Sequence, residues 1–140
     1  NKKLEYDLPF DDDLCGSCVA CVEACPTQAL EDYQIDAGKC ISYMTIEKRG
    51  EFNNDKSNQL HGWIYGCDIC QEVCPWNIKF STESDSPEFQ PREEILNFND
   101  NDWEELGIED YKRIFKGSPA KRTKYSGLKR NVKFNKIPKK

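Results

Sequence analysis

The sequence predicts an α+β domain of two similar halves, each a small hairpin with a short helix, folded around metal sites and followed by a short, basic, helical segment. Only 37% of the 140 residues are hydrophobic, so metal sites or disulfides are needed to supplement a thin apolar core. Eight cysteines fall between residues 15 and 74, and the pattern Cys-x3-Cys-Pro occurs twice, which indicates a duplicated half-domain. The charge is divided: residues 1–111 carry 8 Lys and Arg against 25 Asp and Glu, whereas residues 112–140 carry 12 and none.

The cysteines are expected to be metal ligands in a reducing compartment. No stretch approaches the roughly 18 apolar residues of a membrane span, and no basic-then-apolar signal peptide opens the chain. The first residue is Asn1, which is compatible with a segment of a longer or processed chain. We therefore expect a cytoplasmic protein without membrane contact, in which thiols stay reduced.

The first cysteine motif is Cys15-x2-Cys18-x2-Cys21-x3-Cys25-Pro26. This spacing is typical of bacterial ferredoxins with two [4Fe–4S] clusters, in which three cysteines hold one cluster and the fourth crosses to the other. The segment Val19–Ala24 is expected to form a short helical turn that directs Cys25 away from its neighbours. A proline after that cysteine ends the turn, because it has no N–H to continue it.

The second motif is expanded: Cys40 is followed, after 26 residues, by Cys67-x2-Cys70-x3-Cys74-Pro75. Under the same crossing rule, cluster one takes Cys15, Cys18, Cys21 and Cys74, and cluster two takes Cys25, Cys40, Cys67 and Cys70. All eight cysteines are then used. Two zinc sites or four disulfides are the alternatives, but zinc explains neither the third closely spaced cysteine nor the two Cys-Pro endings.

The chain divides by composition into three regions. Residues 1–13 form an acidic lead-in, residues 14–96 a ferredoxin-like domain that holds the two clusters, and residues 97–140 a helical, basic extension. The Ser- and Pro-rich run 81–91 is expected to be a loop.

The extension contains recognisable helix boundaries. Asp102 is expected to cap a short helix, and Gly117 to end a second one, which groups Tyr111, Ile114 and Phe115 on one face. Ser118-Pro119 has the pattern of a cap followed by a first-turn proline. A third helix would then align Tyr125, Leu128 and Val132.

Several other residues are expected to be structural. Trp76, next to a Cys-Pro pair, is interpreted as core packing, with shielding of a cluster from water as the alternative. His61, the single histidine, is interpreted as a loop residue. The charged runs Glu47–Arg49 and Asp11–Asp13 are interpreted as solvated surface.

Three stretches resemble the epoxyqueuosine reductase family: residues 39–51 (KCISYMTIEKRGE), 63–78 (WIYGCDICQEVCPWNI) and 115–132 (FKGSPAKRTKYSGLKRNV). The resemblance covers most of the chain, from Leu14 to Val132. The expanded second motif with its Cys-Pro-Trp-Asn ending is much more specific than a generic ferredoxin run. Members of this family are cobalamin-dependent enzymes that perform the last step of queuosine synthesis on tRNA.

The resemblance implies that this chain transfers electrons and contains no catalytic residue of its own. Its clusters would relay electrons to cobalamin, which an N-terminal corrinoid-binding domain would hold mainly outside this segment, for reduction of epoxyqueuosine to queuosine. The parent would be an oxidoreductase served by an external electron donor. The alternatives are a freestanding two-cluster ferredoxin, the iron–sulfur part of a corrinoid reductive dehalogenase, and a nucleic-acid-binding zinc module.

The basic extension is expected to contact nucleic acid. A high density of Lys and Arg with interleaved aromatic residues is typical of segments that contact phosphates. The family resemblance implies that the nucleic acid is tRNA and that the contact is with its anticodon region. The predicted contacts are Lys121, Arg122, Lys124, Lys129, Arg130 and Lys133. A solubilising tail is the alternative.

Overall fold

The computed structural model describes residues 2–9, 12–31, 33–52 and 60–135. The described helices are α1 (Ala20–Ala24), α2 (Ile41–Ile46), α3 (Ile69–Glu72), α4 (Pro75–Phe80), α5 (Glu93–Leu96), α6 (Asp100–Glu105), α7 (Ile108–Ile114) and α8 (Lys124–Asn135). Two strands, β1 (Leu30–Glu31) and β2 (Gln34–Ile35), and two 3₁₀ helices, Pro87–Phe89 and Pro119–Thr123, complete the described elements. Among these residues, no helix is long and apolar enough to span a bilayer.

The two Cys-x3-Cys-Pro repeats have the same local backbone, as the duplication predicts. The residue before each short helix has nearly identical angles, with φ −119° and ψ 14° at Val19 and φ −116° and ψ 14° at Asp68. An extended cysteine follows each helix, with φ −68° at both Cys25 and Cys74. Helix α1 packs against α3, so the two repeats meet through equivalent helices.

The two halves diverge after the Cys-Pro pair. In the first half the chain turns into the antiparallel hairpin of β1 and β2, where Leu30 lies opposite Ile35. In the second half Pro75 is the first residue of α4, a position at which its missing N–H costs nothing. A hairpin was predicted for each half, but residues 60–135, the last described range, contain no strand. The mixed class is confirmed as a helix-rich fold with one small sheet.

The C-terminal helices begin and end largely as predicted, with one difference. Asn99 caps α6, because its side chain accepts two backbone N–H groups of the first turn, while the Asp102 carboxylate accepts the N–H of Asn99. The prediction of Asp102 as the cap was wrong, since a capping box uses both side chains. Gly117 adopts φ +72° after α7, and the Ser118 side chain caps the following 3₁₀ helix, as predicted.

Helix α8 contributes to two hydrophobic clusters of the described residues. The first cluster joins α2 and the expanded interval to the end of α8 through Ile41, Met44, Phe52, Leu60 and Phe134. The second joins α7 to the middle of α8 through Leu106, Tyr111, Ile114, Phe115 and Leu128. The described part of the basic extension is therefore built into the core of the cysteine-containing region.

Candidate metal centre

All eight cysteines are free thiols, so the disulfide alternative is not adopted. Cys15 and Cys18 are exposed, and the other six are half-buried. Ligation of a metal or a metal cluster is the remaining interpretation of the motif.

Four thiols, those of Cys25, Cys40, Cys67 and Cys70, line one cavity. The rest of its wall is mostly apolar and includes Pro26, Ala29, Leu30, Ile35, Ile41 and Ile69. The four cysteines are the set that the crossing rule assigns to cluster two. Cys25 lies among them although its sequence neighbours belong to the first motif, because α1 ends before it and packs against α3.

The thiols of this cavity lie close enough to influence one another. Burial raises the pKa of the Cys67 thiol, and the charges of Cys70 and Cys40 raise it further. Burial also acts to raise the pKa of Cys25, but hydrogen bonds from the Ala29 N–H, 3.3 Å from Sγ, and from Thr27 outweigh it and lower that pKa. Several thiols around one cavity form a donor set that suits a cationic iron cluster, which binds thiolates.

Cys15, Cys18 and Cys21 line a second and wider cavity. The loop that carries them turns at Gly16, which adopts φ +53°, and closes with a hydrogen bond of 2.9 Å from the Cys18 N–H to the Cys15 carbonyl. Three of the four ligands predicted for cluster one are therefore together. Cys70 also borders this cavity, so the two thiol groups adjoin at α3.

Cys74, the fourth predicted ligand of cluster one, lines neither of these two cavities. It lies immediately before α4, where Trp76 donates its indole N–H to the Leu14 carbonyl at 2.8 Å. This bond ties the start of α4 to the residue that precedes Cys15. Trp76 itself is 42% exposed and stacks on Phe80, so its interpretation as core packing was wrong.

A clamp that the sequence analysis missed holds the first cysteine loop. One carboxylate oxygen of Asp13 accepts the N–H groups of Cys15 at 2.9 Å and Gly16 at 3.2 Å, and the other accepts the Tyr33 hydroxyl at 2.8 Å. The Tyr33 bond, followed by the two N–H bonds, lowers the pKa of Asp13. Asp13 was predicted to be merely solvated, but an Asp that precedes a turn by two residues is the signal of an Asx turn. Asp11 lies outside the described residues.

The six predicted nucleic-acid contacts differ in their surroundings. Three of them are exposed: Lys121, Lys124 and Lys133. Arg122 is exposed but pairs with Glu47, a residue that was interpreted as solvated. The Lys129 ammonium donates to the backbone carbonyl of Glu104. Part of the basic character of the extension is therefore used in contacts within the molecule.

Arg130 is buried, and its assignment as a nucleic-acid contact was wrong. It is 8% exposed. Its Nη1 donates to the carbonyls of Lys48 and Gly50, both at 2.8 Å, and its Nη2 to the carbonyl of Met44 at 2.9 Å. The guanidinium lies 4.1 Å from the centroid of the Phe52 ring. A guanidinium whose donors are used in this way cannot reach a phosphate.

Apart from Cys74, the thiols lie in two groups, each of which surrounds a cavity. In a [4Fe–4S] cluster each thiolate binds a different iron, so the ligands surround a cavity instead of converging on one point. Within residues 2–9, 12–31, 33–52 and 60–135, no three His, Cys, Asp or Glu side chains converge as a single metal ion would need. The cavity of Cys25, Cys40, Cys67 and Cys70 thus supplies four thiol donors around one space.

Comparison with known proteins gives consistent matches. Residues 14–77 match a protein family described as a 4Fe-4S double cluster binding domain. The epoxyqueuosine reductase of Cellulophaga algicola is 47% identical over 132 residues, which cover 94% of this chain and 42% of that protein. The epoxyqueuosine reductase of Synechocystis is 41% identical over 137 residues, or 96% of this chain and 47% of that protein. The chain spans less than half the length of these relatives.

Solved structures give the same result. A crystal structure of epoxyqueuosine reductase with an epoxyqueuosine-modified tRNA-Tyr stem loop matches with a TM-score of 0.80 at 32% identity, covering 94% of this chain and 34% of that chain. The epoxyqueuosine reductase of Streptococcus thermophilus matches with a TM-score of 0.69 at 29% identity, covering 96% of this chain and 35% of that chain.

Proposed function

Because the chain is homologous to one part of the epoxyqueuosine reductases and carries a 4Fe-4S double cluster binding domain, we propose that it is the electron-transfer part of such an enzyme. Two [4Fe–4S] clusters would relay electrons to a cobalamin bound mainly outside these residues, for reduction of epoxyqueuosine to queuosine in tRNA. The observation that carries the proposal is the joint cavity of Cys25, Cys40, Cys67 and Cys70, because this grouping is the ligand crossing of two-cluster ferredoxins.

The ligand assignment follows from this grouping. Cys25, Cys40, Cys67 and Cys70 would hold cluster two. The loop of Cys15, Cys18 and Cys21 would hold cluster one, together with Cys74. The hydrogen bond from Trp76 to the Leu14 carbonyl supports the place of Cys74 in this set, since it keeps the start of α4 beside the first loop.

The residues around the thiols would bind the clusters and limit access of water. When bound, the clusters would supply one-electron transfer. The mostly apolar wall beside Cys25 and Cys40 would exclude water from cluster two. Cys15 and Cys18 are exposed, so cluster one would be more accessible to solvent. Solvent exposure and hydrogen bonds to sulfur set the potential of a cluster, so the two clusters should differ in reduction potential.

Contact with tRNA is the second part of the proposal. The similarity to a reductase whose structure contains a modified tRNA stem loop supports it. The contact, expected at the anticodon region, would use the exposed cations Lys121, Lys124 and Lys133, because phosphates bind exposed Lys and Arg. The corrinoid-binding domain and an external electron donor would be the other partners.

Anaerobic purification tests the proposal. Two clusters would give about eight iron and about eight acid-labile sulfide per chain, with the broad visible absorption of iron–sulfur proteins. Zinc in place of iron would contradict the proposal. Turnover of epoxyqueuosine-containing tRNA by the complete protein then separates the reductase from a freestanding ferredoxin, which would hold the clusters but convert no tRNA.

A further inference from the structure

The expanded second motif separates two ligands of one proposed cluster. Cys40 and Cys67 have 26 residues between them, and bringing the ends of such a loop together costs conformational entropy. In the first motif the loop is only a few residues long, so local backbone geometry suffices. The second motif needs a contact that joins its distant ends.

The hydroxyl of Thr45 makes that contact. It donates to the carbonyl of Ile41, the residue after Cys40, at 2.8 Å, and it accepts the N–H of Gly66, the residue before Cys67, at 3.0 Å. Thr45 is fully buried, with 0% of its surface exposed. One hydroxyl therefore links the neighbours of the two ligands, through a buried bond to Ile41 and a half-buried bond to Gly66.

Helix α8 fixes Thr45 in place from the other side. The Asn131 side-chain amide donates to the Thr45 carbonyl and to the Ile64 carbonyl, both at 2.8 Å. The Thr123 hydroxyl donates to the same Thr45 carbonyl at 2.7 Å. Asn131 is 0% exposed, and its side-chain oxygen accepts two bonds from Arg130. The amide thus joins the two ends of the expanded interval, at Thr45 and at Ile64, two residues before Gly66.

We propose that Thr45 and Asn131 are positioning residues for cluster two, which bring Cys40 and Cys67 to their binding distance through the backbone next to each. This inference rests on the proposed function, because it assumes that the chain binds the clusters. The C-terminal helix then has a role in cluster binding although it contains no cysteine. Cluster one is independent of this device, since its loop is held by Asp13 and Tyr33.

The test compares cluster stability in matched variants of the anaerobically loaded protein. Thr45→Val keeps the shape but leaves the half-buried Gly66 N–H without this acceptor, whereas Thr45→Ser keeps the hydroxyl. Asn131→Asp also keeps the shape and replaces the donor with an acceptor. The control is Tyr125→Phe, which removes one hydrogen bond, of 3.0 Å to the Leu106 carbonyl, in the other hydrophobic cluster.

Iron release to a chelator and the electron paramagnetic resonance spectrum of the reduced protein are the measurements. The spectrum of Cys40→Ser, which should retain cluster one alone, identifies the signal of cluster two. The loss of one hydrogen-bond partner in this network corresponds to about a tenfold change in an equilibrium constant. We expect Thr45→Val and Asn131→Asp to release the iron of cluster two about tenfold faster. Iron in cluster one should be unaffected, and Thr45→Ser should behave like the wild type.

Three results would overturn the inference. One is release from Thr45→Val and Asn131→Asp at the wild-type rate. Another is equal acceleration for both clusters, and the third is the same selective loss in Tyr125→Phe. A wild-type protein that loads no iron would instead contradict the proposed function, and this inference with it.

Discussion

Replacing Arg130 with alanine should destabilise the protein strongly, because the guanidinium holds α8 against the expanded interval. It donates to the carbonyls of Met44, Lys48 and Gly50 and to the side-chain oxygen of Asn131. Alanine would leave these four acceptors without this donor, and the bonds to Met44 and Asn131 are buried. A hydrogen bond to a charged group contributes about 1.5–3 kcal/mol, and such contributions within one network do not add.

The expected loss in the free energy of unfolding is about 2–4 kcal/mol, because an unsatisfied buried acceptor costs about 1–3 kcal/mol and the two buried acceptors do not add fully. That is a large part of the roughly 5–15 kcal/mol by which domains are stable. Arg130→Lys should lose less, because it keeps the charge but replaces a planar fork with a single point donor. Lys133→Ala, an exposed cation three positions along the same helix, should change stability by less than about 0.5 kcal/mol.

Urea unfolding under anaerobic conditions, followed by circular dichroism, measures these differences on the cluster-loaded protein. We expect the urea concentration at the unfolding midpoint to be highest, and equal, for the wild type and Lys133→Ala. It should be lower for Arg130→Lys and lowest for Arg130→Ala. Equal midpoints for Arg130→Ala and Lys133→Ala would refute the burial of Arg130. The arginine would then be a surface cation, as its position in a basic run first indicated.

Three further predictions follow from the proposed sites. Cys40→Ser should lower the iron content from about eight toward four per chain by elemental analysis, since one cluster is lost; unchanged iron would remove Cys40 from the ligands. Trp76→Phe keeps the stacking but loses the bond to the Leu14 carbonyl, so the free energy of unfolding should fall by about 1 kcal/mol in urea titrations; no fall would mean that the bond is not formed in solution. Replacing three exposed lysines, Lys121, Lys124 and Lys133, with alanine should weaken tRNA binding by the complete protein. The dependence of the binding constant on salt concentration should become shallower by about three phosphate contacts. An unchanged salt dependence would exclude these contacts.

The sequence predicted the parts of this fold that depend on local spacing. The short helix before Cys25 and the cap at Ser118 depend on residues within a few positions of each other, and both are present. The joint cavity of the cluster-two cysteines was also anticipated, because the ligand spacing of two-cluster ferredoxins encodes the crossing.

Features that depend on distant backbone could not be predicted in the same way. Arg130 has its partners about 80 positions earlier, in the backbone carbonyls near Met44, and composition does not distinguish a buried arginine from a solvated one. The role of Thr45 could not be predicted for the same reason, because no local sequence pattern indicates that a threonine in a helix bonds to Gly66, 21 residues later. The clamp between Asp13 and Tyr33 had a local signal only at the aspartate.

The most direct test of the two-cluster assignment is anomalous diffraction at the iron absorption edge from anaerobically grown crystals. The account predicts two compact iron peaks. One should be bound by Cys25, Cys40, Cys67 and Cys70, and the other by Cys15, Cys18, Cys21 and Cys74. A peak at the zinc edge in place of iron, or Cys25 bound to the same cluster as Cys15, Cys18 and Cys21, would contradict it.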